Sequence, residues 1–182
     1  MINGALDGKL KVATIFLDIL KAFDTMDHVI LLKKLDNCGI RGNALKIISS
    51  YLSHRSMYVQ LNDVKSREYH VSCGVPQGSP LGPLFFSIYI NDIHQAICDL
   101  TTNVENGDET CKPRKPLVLF ADDTNFSVAE RTEAQLLGKL SNDMEKVEKW
   151  LRLNKLKVSH SKSGFVVWED HLHITPGCKS LQ

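Results

Sequence analysis

Residues 117–151 read LVLFADDTNFSVAERTEAQLLGKLSNDMEKVEKWL, and this stretch decides the fold. Two apolar runs, Leu117–Ala121 and Asn125–Ala129, meet at Asp122-Asp123-Thr124, which predicts a tight hairpin. Thr132, followed three residues later by Gln135, has the form of a capping box. Behind it Leu136, Leu140, Met144, Val147 and Leu151 recur at steps of four, four, three and four, the spacing of one apolar helical face. A strand pair therefore runs straight into an amphipathic helix.

Working outward, Lys11–Leu17 (KVATIFL) is β-branched, apolar and short, which predicts a buried strand, and Gly164–Trp168 predicts another. Asp27–Asn37 reads as a helix with Ile30, Leu31 and Leu35 on one face and Gly39 as its stop. Asn43–Leu52 reads as a second helix. Met57–Leu61 and Glu68–Val71 flank Asn62-Asp63, the pattern of a hairpin whose loop exceeds two residues. Ser79-Pro80 opens a helix expected to reach about Cys98, because proline is tolerated in a first helical turn. Thr101–Pro116 has no periodicity and reads as a long loop.

With residues 27–78 set aside, the order is strand, helix, strand, strand, helix, strand. This is the βαββαβ pattern of ferredoxin-like α+β folds, a four-stranded antiparallel sheet with helices packed on one face. Right-handed crossovers then place the first strand beside the Asp122-Asp123 hairpin.

The composition agrees with such a fold. Of 182 residues, 43% are hydrophobic and 24% charged, with a net charge of +1, which is the profile of one soluble globular domain and excludes a disordered chain. The longest apolar stretch, Leu81–Ile90, falls short of the ~20 residues a membrane-spanning helix needs. Five scattered cysteines without a C-x-x-C pair point to free thiols in a reducing, intracellular compartment, cytoplasmic or nuclear. Charge is unevenly spread, at +3 over residues 1–60, −5 over 61–130 and +3 over 131–182. An acidic middle argues against nucleic-acid binding unless its carboxylates hold metal cations.

Three carboxylates stand out. Asp18 ends an apolar strand, and Asp122 and Asp123 sit at an apolar hairpin, where desolvating a lone charge is costly. Divalent cations remove that cost, since Mg²⁺ takes one or two carboxylates together with substrate phosphates. Two such ions ~3.5–4 Å apart stabilise both the attacking and the leaving oxygen of a phosphoryl displacement. Taken alone, plain turn chemistry is the better account of Asp-Asp, and Asp18 read alone is a strand-end cap.

The stretch FLDILKAFDTMDH (residues 16–28) resembles motif A of reverse transcriptases from non-LTR, LINE-type retrotransposons. GVPQGSPLGPLF (74–85), continued by IYIND (88–92), resembles motif B; FADDT (120–124) resembles motif C; and WLRLNKLKVSHSK (150–162) is similar to motif D. The four occur in family order across most of residues 12–168. Leu20, Met26 and Phe120 depart from the commoner polar residue, valine and tyrosine at their positions, yet every metal-ligand position is kept.

The resemblance implies an RNA-directed DNA polymerase palm that transfers nucleotides to a primer 3′-hydroxyl with two Mg²⁺ ions, Mn²⁺ being a possible substitute. Its partners would be an RNA template, a DNA primer and deoxynucleoside triphosphates, with no membrane. Asp18, Asp122 and Asp123 match the catalytic, metal-binding aspartates. Phe23 falls at the sugar gate, where a ring crowds a ribose 2′-hydroxyl; read alone, it is a core phenylalanine. Gln77 and Gly78 match the loop that contacts the incoming nucleotide and template. Lys162 matches the lysine placed to touch or protonate the leaving phosphate.

Only 17 residues precede Asp18, and little chain follows Trp168. The expectation is a single partial domain over residues 1–182, a palm without the family's fingers and thumb, with little activity alone. The alternative is a non-catalytic nucleic-acid-binding module that stacks bases on the same kind of sheet, although no basic, aromatic-rich strand is evident. Lys33-Lys34 reads as a solvated helix face, and the spacing of His171, His173 and Cys178 matches no common zinc finger.

Overall fold

The computed structural model describes residues 2–97, 117–120 and 123–168. Its first half contains α1 (Ile2–Asp7), β1 (Lys11–Asp18), α2 (Ala22–Thr25), α3 (His28–Asn37), α4 (Gly42–Leu52), β2 (Ser56–Met57), β3 (Gln60–Leu61), β4 (Val64–Lys65) and β5 (Tyr69–His70). There follow α5 (Leu81–Ile90), a 3₁₀ turn (Asn91–Ile93), α6 (His94–Ile97), β6 (Leu117–Phe120), β7 (Asp123–Glu130), α7 (Glu133–Leu153) and β8 (Gly164–Trp168). These elements divide between two units. One comprises Met1–Leu20, Asp92–Leu153 and Lys157–Gln182; the other, Lys21–Asn91 and Asn154–Leu156.

The first unit is built on an antiparallel sheet of order β6-β7-β1-β8. β1 pairs with β7 along its whole length, from Lys11 opposite Glu130 to Asp18 opposite Asp123. On its other edge it pairs with β8, from Val12 opposite Trp168 to Phe16 opposite Gly164. Side chains alternate across a strand, so Ala13, Ile15 and Leu17 share a face with Val128, Phe126 and Thr124, and all six are buried. α7 packs against β1 and β7, and its apolar stripe is the one read from the spacing: Leu136, Leu140, Met144, Val147 and Leu151 are all buried. Burying each such side chain stabilises the fold by roughly 1.5–3 kcal/mol. Thr132 caps the helix as its sequence predicts, its hydroxyl accepting from the Gln135 N–H at 3.3 Å. The opposite sheet face is more polar and more open. Here the Thr14 and Ser127 hydroxyls meet at 2.9 Å, Trp168 donates its indole N–H to Thr14 at 3.1 Å, and Phe16 remains 41% exposed.

Strand β7 begins earlier than its sequence predicts. Asp123 and Thr124 belong to the strand rather than to the turn, because Phe120 pairs with Asp123 and Thr124 is wholly buried opposite Leu17.

In the second unit α3 packs on α4 and α5 around Leu31, Leu35, Leu52, Phe85, Phe86, Tyr89 and Ile90. The expected hairpin near residue 62 is two nested ladders. β3 and β4 close over Asn62-Asp63 alone, with Asn62 in the left-handed region at φ +51°, and β2 pairs with β5 farther out. The helix beginning after Ser79-Pro80 is regular only to Ile90. Lys34, expected in solvent, reaches it and donates to the Tyr89 carbonyl at 2.6 Å, one of the acceptors left over in a final helical turn. No helix among the described residues is long and apolar enough to cross a membrane. Cys98, the loop at 101–116, and His171, His173 and Cys178 lie outside the described residues.

Candidate active site

The β1–β7 register brings two of the three singled-out carboxylates together. Asp18 stands directly opposite Asp123, and opposed residues of an antiparallel pair carry their Cβ atoms on the same face, roughly 4.5–5.5 Å apart. The Asp18 side chain is 28% exposed, and Asp123 lies exposed on the open face. Like charges so placed repel. Among the described residues a cation approaches from outside the ladder: Lys162, whose Nζ lies 4.0 Å from Asp18 Oδ2. Paired, accessible carboxylate oxygens are the donors a hard cation such as Mg²⁺ takes. Asp122 lies outside the described residues, and among those described no group of three His, Cys, Asp or Glu side chains forms a metal cage.

The main chain of Asp18 is held by the segment that follows α7. The β1–β8 ladder stops at Phe16 and Gly164, and pairing resumes at a bridge between Ile19 and Val158. Ser159 donates its N–H to the Asp18 carbonyl at 2.8 Å, and Leu20 donates to the Lys157 carbonyl at 2.8 Å. Between these contacts the chain makes a turn, with the N–H groups of Lys162 and Ser163 both donating to the Ser159 carbonyl. The Asp18 N–H donates to the Ser163 hydroxyl at 3.0 Å. Sequence reading selects Lys162 from this turn and passes over Ser159 and Ser163. The available signal is small, a serine at alternate positions 159, 161 and 163 just before a strand.

Phe23, Gln77 and Gly78 belong to the second unit, where one framework carries them. Phe23 is half-buried on α2, its ring 5.2 Å from that of Phe86. Its carbonyl accepts from the Val75 N–H at 2.9 Å, and the Met26 carbonyl accepts from the Gly74 N–H at 2.7 Å. Gly74 permits this approach: at φ +78°, a Cβ there would lie 2.6 Å from the Asp24 carbonyl oxygen. The His28 ring shares a 2.7 Å hydrogen bond with the Gly74 carbonyl. Beyond this seam Gln77 and Gly78 are exposed, and Gly78 adopts φ +80°, which favours glycine. Ser79, one residue before the Pro80 N-cap of α5, accepts from the Leu81 N–H at 3.2 Å and receives a hydrogen bond from the Tyr51 hydroxyl at 2.8 Å.

The sequence did not single out a further network in this unit. Asp27 caps α3 by accepting from Val29 and Ile30, each at 3.0 Å, and pairs with Lys155 Nζ at 2.6 Å. Burial pushes the Asp27 carboxyl up, yet the Lys155 ammonium and the two helix N–H groups outweigh it and hold the group below its usual range. The Tyr89 hydroxyl accepts from the Asp27 N–H at 3.3 Å and donates to the Asn154 carbonyl at 2.7 Å.

The profile of the family described as "Reverse transcriptase (RNA-dependent DNA polymerase)" matches residues 4–176. The chain is 30% identical over 162 residues to a probable RNA-directed DNA polymerase from transposon X-element of Drosophila melanogaster, covering 89% of this chain and 16% of that protein. It is 25% identical over 175 residues to the RNA-directed DNA polymerase from mobile element jockey of the same organism, covering 95% of this chain and 18% of that one. It thus spans less than a fifth of the length of these two relatives. Apo telomerase from Candida tropicalis, truncated from its C-terminal domain, shares the fold at TM-score 0.63 and 14% identity, over 94% of this chain and 34% of that one. Telomerase of the same organism in complex with a fragment of telomeric RNA shares it at TM-score 0.66 and 13% identity, over 92% and 28%.

Proposed function

Because the chain belongs to the reverse transcriptase family, we propose that it is the palm of a non-LTR retrotransposon RNA-directed DNA polymerase, extending a DNA primer on an RNA template with deoxynucleoside triphosphates. The observation that carries this reading is the pairing of Asp18 with Asp123 at the open end of the β1–β7 ladder. The sheet order β6-β7-β1-β8 supports it, being the order in which a βαββαβ chain lays down a ferredoxin-like sheet.

Asp18, Asp122 and Asp123 would hold two Mg²⁺ ions, or Mn²⁺ in their place. When bound, such ions neutralise charge on the attacking hydroxyl and the leaving pyrophosphate. The remaining work is positional. Lys162 presents its side-chain amine beside Asp18, where it meets the phosphate end of the substrate. Phe23, braced by Phe86, walls off the ribose 2′-hydroxyl, and the exposed Gln77-Gly78 loop receives the incoming nucleotide and template strand. An intracellular setting, cytoplasmic or nuclear, fits the free, exposed thiols of Cys38 and Cys73.

The binding-module alternative draws on Phe16 and Trp168, which are 41% and 36% exposed on the open sheet face. A bare carboxylate pair at the end of that face would repel a phosphate backbone, and this favours the catalytic reading. The test replaces the matching segment of an active retrotransposon polymerase with residues 4–176 of this chain. Mg²⁺-dependent primer extension on RNA is expected, and Asp18→Asn should abolish it. Extension that survives Asp18→Asn overturns the reading.

A further inference from the structure

We infer that Ser163 is a positioning residue for the Asp18 carboxylate and thereby sets the affinity of the site for divalent cations; the inference rests on the metal-binding reading above. A strand residue directs its side chain through its own main chain, and the main chain of Asp18 sits where the ladder to β8 has lapsed. Regular pairing would give the Asp18 N–H a backbone carbonyl from the neighbouring strand. The turn at residues 159–163 carries that carbonyl away, and the Ser163 hydroxyl takes its place at 3.0 Å.

Two features set this contact apart from a chance surface hydrogen bond. Ser163 is 3% exposed, so no water competes freely for the N–H, and its partner is 145 positions away, so the contact serves no local turn. With the Ser159 N–H on the Asp18 carbonyl, both polar groups of that peptide segment are fixed, and the carboxylate is held across from Asp123. A hydroxyl acceptor also lets the backbone leave the sheet, which is what puts Lys162 within 4.0 Å of Asp18 Oδ2. A carbonyl from a continuous strand could complete the ladder but could not do both. Groups that orient a metal ligand without touching the metal govern affinity strongly.

The test is Mn²⁺ binding to the 182-residue chain, followed by electron paramagnetic resonance of the free ion, with Mg²⁺ as competitor and far-ultraviolet circular dichroism as the check on folding. Ser163→Ala should bind Mn²⁺ about tenfold more weakly, the low end of what losing such an outer partner costs. Ser163→Thr, which keeps the hydroxyl, should restore wild-type affinity, and Ser161→Ala on the exposed side of the turn should leave it unchanged. Wild-type affinity in a folded Ser163→Ala variant overturns the proposal, as does a folded Ser163→Thr variant no better than alanine. If the wild type shows no saturable binding, or Asp18→Asn binds as tightly, the metal-binding reading itself falls and takes this inference with it.

Discussion

Asp18 and Asp123 face one another as the last cross-strand pair of β1 and β7, two carboxylates directly opposed on one sheet surface. A like-charged pair directly opposed costs of order 0.2–1 kcal/mol. In chelator-treated buffer, Asp123→Asn should therefore melt at or slightly above the wild type. Adding Mn²⁺ should raise the wild-type melting temperature and leave that of the variant in place. Scanning calorimetry with and without the ion decides this, and equal shifts in both proteins would refute it.

Gly74 is where the chain after β5 crosses the carbonyl of Asp24. Gly74→Ala combines an unfavourable backbone angle with a contact of 2.6 Å to main-chain atoms that cannot swing aside. Gly39→Ala has a similar angle, φ +89°, and open space around it. Strain of this kind costs about 1–3 kcal/mol per site. Alanine at 74 should cost clearly more than alanine at 39, as read from urea unfolding midpoints, and equal costs would remove the steric part of the argument.

The Asp27–Lys155 pair should make stability sensitive to acid. Asp27 titrates below its ordinary 3.8 in the folded chain. Its contribution is therefore complete above that value and drains away as the pH falls through the depressed one. Lys155 is 64% exposed, which screens the pair and limits it to about 1 kcal/mol. Asparagine still caps a helix, so Asp27→Asn isolates the charge. Urea midpoints should separate wild type and variant at pH 7 and converge below pH 3.8.

Adjacent leucines on α7 give a direct measure of its buried stripe. Leu136 is wholly buried and Leu137 is 43% exposed. Leu136→Ala should cost about 2–5 kcal/mol through lost contacts and a cavity, whereas Leu137→Ala should stay within about 0.5 kcal/mol. Chemical denaturation of both variants checks the contrast.

Where contacts are local, the sequence predicted them well. The α7 stripe repeats within one helix, and its cap needs only Thr132 and Gln135, so spacing alone locates it. The neighbourhood of β1 and β7 also follows, since crossover handedness leaves few alternatives. The losses lie where a distant group decides the outcome. Helix α5 gives way after Ile90 to a 3₁₀ turn and α6, with a lysine from α3 on its last turn, and no proline or glycine between residues 84 and 98 announces the change. Asp123 and Thr124 look like turn residues until the pairing with β1 extends the strand past them. Ser163 carries no catalytic chemistry of its own, so only its distance from Asp18 reveals what it holds.

The sheet is completed in an order opposed to that of synthesis. β1 emerges first but lies inside the sheet, and its neighbours arrive more than a hundred residues later, Asp123 on one edge and Ser163 with β8 on the other. A nascent chain must therefore keep an apolar strand unpaired until β7 and then β8 have been made, exposing it to aggregation or to capture by chaperones. Chains that end before residue 123 should leave β1 open to protease, and released chains that extend past residue 168 should protect it.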